Sequence, residues 1–200
     1  MHRRPSHRGF TLLEALVSIA VAVTASSALF LGLYGNLQNT QATLEQLAAQ
    51  GIAEQVVDEV LGSLYVSDGA TSPLSGIRSA TSWEQAGEGR ERYNDTDDYH
   101  GFAAEPPEDP FGVRLGSGDG AGGLRQANFR VPAEYLGRWK QEITISYVRD
   151  DNPQTTVSAA PWSSTRAVEV RITRREASGV YRELAKVRRV FGYVPSSVGS

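Results

Sequence analysis

The chain has 200 residues, a formal net charge of −3 and no cysteine. That length suffices for one domain plus a membrane segment, and the missing thiols exclude disulfides, thiol catalysis and Cys-ligated metal. In chain order, the first element is a short basic leader, residues 1–9, with Arg3, Arg4 and Arg8. An apolar segment follows, residues 10–34, long enough as a helix to cross a hydrocarbon core, which takes about 20 residues. Its one charged side chain is Glu14. A carboxylate within the bilayer costs about 2.5–3.5 kcal/mol even on the lenient insertion scale, so something must compensate it. After Arg8 no Lys or Arg occurs until Arg78. The positive-inside rule therefore keeps Met1 cytoplasmic and exports everything after about Tyr34.

Arg8-Gly9-Phe10-Thr11-Leu12-Leu13-Glu14 resembles the N-terminal signal of type IV prepilins and type II secretion pseudopilins. The resemblance implies cleavage between Gly9 and Phe10 by prepilin peptidase, N-methylation of Phe10, and a role for Glu14 in pairing with a freed α-ammonium during filament assembly. It also implies a single-pass protein of the bacterial inner membrane whose partners are other pilin or pseudopilin subunits and the inner-membrane assembly platform. Two plainer readings compete. An ordinary secretory signal would place its small-residue cleavage site at Thr24-Ala25-Ser26-Ser27-Ala28, yet Glu14 would interrupt its apolar core and residues 29–34 stay apolar past the cut. An uncleaved anchor leaves Glu14 unexplained.

From Asn36 to Leu64 polarity rises while a helical period persists. Leu44, Ala48, Ile52, Val56, Val60 and Leu64 recur every fourth residue, with Leu47, Val57 and Leu61 beside them. No proline lies between Pro5 and Pro73, so the spacing predicts one continuous helix over residues 10–64. Its first part is a transmembrane helix, 10–34, and its second an amphipathic helix, 35–65. Many pilins bend this helix with a proline; here Gly32 and Gly35 occupy that neighbourhood, each costing about 1 kcal/mol relative to Ala.

Residues 66–127 read as a long irregular region, because twelve of the chain's twenty glycines lie between Gly62 and Gly123, together with four prolines. Strand signals follow over residues 128–194, ahead of a tail, 195–200. Ile143, Ile145 and Tyr147 alternate with Thr144 and Ser146; Val168, Val170 and Ile172 alternate with Glu169, Arg171 and Thr173. Ala177-Ser178-Gly179 reads as a hairpin turn. The segment returning to Val194 suits helix as well as strand, and hairpin context favours strand. A short strand is expected near Phe129–Val131. The fold class is α+β: a pilin-like long N-terminal helix packed on a small antiparallel β-sheet, with the irregular region between them.

Charge is segregated. Residues 41–120 hold four basic and fifteen acidic side chains, a net of −11, whereas residues 165–194 hold eight basic and three acidic, a net of +5. The second distinctive cluster is Asn94-Asp95-Thr96-Asp97-Asp98-Tyr99-His100-Gly101. It resembles a loop of minor pilins of the mannose-sensitive haemagglutinin biogenesis type. Asp95, Asp97 and Asp98 make it a candidate calcium loop, since calcium takes several oxygen ligands at about 2.3–2.6 Å. The plain alternative is a solvated turn whose Asp side chains bond nearby backbone N–H groups. His100 has no second exported histidine to complete a zinc or acid–base site, and no G-x-S-x-G, H-E-x-x-H or P-loop pattern occurs. No catalytic residue and no required cofactor is expected. The arginines near the C-terminus, with little aromatic interleaving, read as a charged strand face that discourages edge pairing, not as a nucleic-acid groove. Altogether the sequence predicts a structural subunit, of the minor kind, in a type II secretion pseudopilus or type IV pilus-like filament. The alternative is a secreted or membrane-anchored binding domain behind an ordinary signal.

Overall fold

The computed structural model describes residues 11–66 and 74–194. One helix, α1, spans Leu12–Gly62. Thr11 precedes it, and the Glu14 N–H donates to Thr11 Oγ1 at 3.2 Å, which satisfies one of the amide groups left open at a helix start. Gly32 and Gly35 lie inside the helix without interrupting it, and a Cβ at either would meet open space. The chain divides into two compact units, residues 1–45 and 46–200.

In the first unit the described part of α1 leaves its large apolar side chains exposed from Leu12 to Leu37. The hydroxyls of Ser18, Thr24, Ser26 and Ser27 donate back to carbonyls one turn earlier. Their polar groups are thus satisfied within the helix, as a segment in hydrocarbon requires.

In the second unit, helix α1 ends and three sheet strands run antiparallel: β2 (Trp139–Val148), β4 (Thr165–Arg175) and β5 (Tyr181–Gly192). Two short strands complete the sheet. β1 (Ala103–Ala104) pairs with the start of β2, and β3 (Thr156–Val157) pairs with its end. Sheet order is β1-β2-β4-β5. Trp139, Ile143 and Ile145 of β2 face the same core as Val168, Val170 and Ile172 of β4. Their alternation is the period-two pattern of a sheet buried on one face.

The face of α1 in this core is Ala49, Ala53, Val56, Val57 and Val60. This differs from the expected stripe: Ala48 and Ile52 are only half-buried, and Leu47, Leu61 and Leu64 are exposed. Small alanines let the helix backbone approach its neighbours closely, so the buried face is set by size as well as by hydrophobicity.

The segment after the hairpin is strand β5. Its ambiguous pattern has a specific cause. A register shift lies between Ile172, opposite Ala185, and Thr173, opposite Glu183, which leaves Leu184 as the extra residue. Leu184 and Ala185 are consecutively buried, and strict alternation fails there. The strand expected near Phe129–Val131 does not form. Ala127–Phe129 is a single 3-10 turn, closed by the Phe129 N–H on the Gln126 carbonyl at 2.9 Å. Pro132 then caps a short helix, α3 (Ala133–Leu136), and the sheet begins only at Trp139.

The long irregular region is tied down by specific bonds. Arg90, with its side chain 1 % exposed, donates from Nε and Nη2 to the two Glu59 oxygens at 2.9 and 2.8 Å, so a bidentate pair joins the region to α1. A further helix, α2 (Ser82–Gln85), begins with a capping box between Thr81 and Glu84. Gly89 has φ +58°, and a Cβ on it would sit 2.1 Å from the Gly112 nitrogen, so this crossing of two loops admits only glycine.

Candidate functional site

Gly9 and Phe10 lie outside the described residues. Glu14 lies within them, in the first turn of α1. An acidic side chain is favoured there by the helix macrodipole, and Thr11-Leu12-Leu13-Glu14 has the spacing of a capping box. Among the described residues the Glu14 carboxylate has no ion-pair or hydrogen-bond partner. Its local role accounts for an acid at the helix start but leaves the charge itself unneutralised.

The acidic turn is built differently from a solvated loop. Asp95, Asp97 and Asp98 are all buried, at 3 %, 2 % and 6 % exposure. Asp95 Oδ1 accepts the Asp97 and Asp98 N–H groups at 2.8 and 3.4 Å, and Asp98 Oδ2 accepts those of Asn94 and Asp95 at 2.9 and 3.2 Å. These are the short-range bonds that Asp makes to nearby backbone in turns. Asn94 in turn donates to Glu84 at 3.0 Å.

Asp97 faces a buried cation. Its Oδ1 lies 2.8 Å from Arg166 Nη1, and both side chains are essentially sealed from solvent. Arg166 is held through both terminal nitrogens, while its buried Nε has no hydrogen-bond partner among the described residues. Its Nη1 donates to the Tyr65 carbonyl and to Thr96 Oγ1, both at 2.8 Å, and its Nη2 donates to the Tyr147 hydroxyl at 2.7 Å. The guanidinium also lies 4.2 Å from the ring centre of Tyr65 and 4.7 Å from that of Tyr147. With its terminal N–H groups donating to those oxygens, Arg166 meets Asp97 as an ion pair and not as a hydrogen-bonded one. Arg78 adds a weaker charge, 3.9 Å away.

Burial dominates the electrostatics of the turn. It pushes the Asp97 carboxyl above its ordinary range, against the opposing pull of Arg166. It pushes Asp98 from 3.8 up to about 6, against the backbone N–H groups of Asn94 and Asp95 that favour its charge.

Backbone contacts anchor the same turn at both ends. The Leu64 N–H donates to the Asn94 carbonyl at 3.2 Å, and the Thr96 N–H to the Leu64 carbonyl at 2.9 Å. His100 Nδ1 accepts the Ile145 N–H at 3.2 Å, so His100 serves the sheet edge. The turn joins the end of α1 to β2 and β4. Its three candidate ligands are brought together, and one oxygen of each serves Arg166 or the backbone amides. Among the described residues no group of three His, Cys, Asp or Glu is arranged to hold a metal ion.

Sequence reasoning missed Arg166 and Tyr65. Arg166 had a readable signal: it shares strand parity with Val168, Val170 and Ile172, all buried, so it had to point inward. The other basic residues of β4 and β5 are exposed or half-buried, and several pair locally. Arg171 and Lys186 meet Glu169 at 3.1 and 2.9 Å, and Arg174 and Arg182 meet Glu176 at 3.0 and 2.9 Å.

Among the described residues α1 is the one helix long and apolar enough to cross a membrane, with a best-window mean hydropathy of 2.2. Residues 4–30 match the family model of the prokaryotic N-terminal methylation motif. That is the prepilin-type cleavage and methylation signature, and it covers Gly9, Phe10 and Glu14. The motif implies processing by prepilin peptidase and assembly with pilin subunits in general. No curated protein and no solved structure matches the chain.

Proposed function

We propose that the chain is a structural subunit, of the minor kind, in a type II secretion pseudopilus or type IV pilus-like filament. Prepilin peptidase cuts between Gly9 and Phe10, Phe10 is methylated, and the mature chain keeps its new N-terminus in the membrane with the remainder exported. The single observation that carries this reading is Glu14, a carboxylate without a partner in the first turn of an exposed apolar helix, within the methylation motif. An unpaired ammonium at Phe10 and an unpaired carboxylate at Glu14 are both costly in a low-dielectric medium, and pairing between subunits relieves both. The role is one of assembly and not of catalysis.

N-terminal sequencing and mass spectrometry of the membrane-fraction protein test it. The expected mature start is methylated Phe10; a start at Leu29 or an intact Met1 overturns the reading. In Glu14→Ala, membrane insertion and the melting of the exported part are expected unchanged, while incorporation into sheared filaments is lost. Full incorporation of that variant removes Glu14 from the assembly role.

A further inference from the structure

Between the core half of α1 and the loop after Asp109 lies a cavity of about 370 Å³. Ile52, Leu115, Val131 and Leu136 supply its apolar wall, and Arg114 and Arg125 also line it. Neither guanidinium has a hydrogen-bond or ion-pair partner among the described residues. Arg114 is half-buried, and its Nε is closed off from solvent with no acceptor. A donor left in that state carries the full desolvation cost of the group. Asp109 lines the cavity as well, but its Oδ1 already accepts the Phe111 and Val113 N–H groups at 3.0 and 2.9 Å.

The wall is tightly built. Gly116 has φ +77°, and a Cβ there would lie 2.6 Å from Val131 Cγ2, while the Val131 N–H bonds the Gly116 carbonyl at 2.8 Å. Arg125 is exposed and, after the Ala121 and Gly123 N–H groups, its charge helps hold the Asp119 carboxyl below its ordinary range, so Arg114 is the unanswered cation here. Its guanidinium beside an apolar wall is complementary to a carboxylate carried among apolar neighbours. The apolar wall of Ile52, Leu115, Val131 and Leu136 suits a polypeptide more than a small inorganic anion.

We propose that this cavity docks a peptide segment of another protein, one that presents an Asp or Glu side chain between apolar residues. The proposal does not depend on the filament role. Random peptides displayed on phage, selected on the full chain in lipid nanodiscs, test it. Enriched peptides are expected to share an acidic residue flanked by Leu, Ile or Phe. A synthetic copy should bind Arg114→Gln at least ~30-fold more weakly than the parent, as for loss of one partner of a buried charge pair. Replacing the peptide's acidic residue by its amide should produce the same loss. Melting of Arg114→Gln should be no lower than that of the parent, because its guanidinium holds no internal partner and its buried Nε is unsatisfied; Arg125→Gln, at an exposed position, gives a second variant. Enriched peptides without acidic residues, or binding indifferent to both substitutions, overturn the proposal. So does sodium phenylacetate or inorganic phosphate binding as tightly as the peptide, which would mark a small-anion site. A parent chain that self-associates through this cavity, with Arg114→Gln abolishing the association, would replace the foreign peptide with a second copy.

Discussion

Between Leu12 and Glu45, helix α1 keeps Leu12, Phe30 and Leu31 more than 70 % exposed, whereas beyond Gln46 it hides Ala49, Ala53 and Val60 completely. The exposed stretch carries large apolar side chains on every face; the buried stretch carries small ones on a single face. One unbroken helix therefore contains two kinds of hydrophobicity. The first is matched to a fluid apolar solvent, which demands area and no particular fit. The second is matched to a close-packed interior, where a methyl group too many is felt. An apolar surface of the first kind is not sustained in water by a monomeric protein, so the two stretches are expected to respond oppositely to mutation.

The largest effect is expected in the packed part. Arg166→Met leaves Asp97 buried without its main countercharge, and loss of one partner of such a pair costs about 3–5 kcal/mol. Urea unfolding of the full chain in nanodiscs measures it. The double variant Asp97→Leu, Arg166→Met should recover much of the loss, because no orphaned charge remains. If the single variant is as stable as the parent, the acidic turn does not latch the fold.

Next is a matched pair that tests the comparison directly. Ile143→Ala in the core should cost about 2–5 kcal/mol, while Ile19→Ala, 65 % exposed in the parent, should leave the unfolding of the packed part unchanged. Equal losses in the two variants would break the distinction between the stretches.

A smaller effect, of opposite sign, comes from Gln141. It is fully buried, and its side-chain nitrogen and oxygen have no partner among the described residues. Gln141→Leu should raise stability by about 1–3 kcal/mol, the usual cost of an unsatisfied buried polar group. A loss of stability would mean that the amide has a partner after all.

The smallest effect is a change of slope. Asp98 is raised from 3.8 to about 6, chiefly by burial. Between those values the folded chain holds a proton that the unfolded chain has released. The resulting stability is complete below pH 3.8 and is lost as pH rises through about 6. Melting followed across that window should decline less steeply in Asp98→Asn, which removes the titration and keeps an acceptor for the Asn94 and Asp95 amides. Asp97, raised in the same direction, should preserve part of the slope.

Much of this was legible in the chain. The apolar run, the absence of proline and the strand alternation at Ile143–Tyr147 and Val168–Ile172 are local patterns, and local patterns specify local structure. The core face of α1 was harder to read, because Ala49 and Ala53 are weakly hydrophobic and owe their burial to close approach. Strand β5 was blurred by the extra residue at Leu184. The acidic turn shows what one sequence window cannot hold: three carboxylates within four residues look solvated until Arg166, from a distant strand, is placed against Asp97. The anomaly of Glu14, by contrast, is visible against its immediate neighbours, because no other charged side chain lies in the apolar run.

The Arg166 latch also has a consequence for the order in which the chain can settle. Thr96 and Arg166 are 70 residues apart, and Tyr65 and Arg166 are 101 apart. Closing such long loops is entropically expensive until many contacts form together, which slows folding. The segment around Asp97 therefore has no countercharge from β4 until that strand is in place. A chain stopped short of β4 would carry its carboxylates into solvent and present the turn as a charged, cleavable stretch. Protection of residues 94–101 from proteolysis is thus a clock for completion of the sheet.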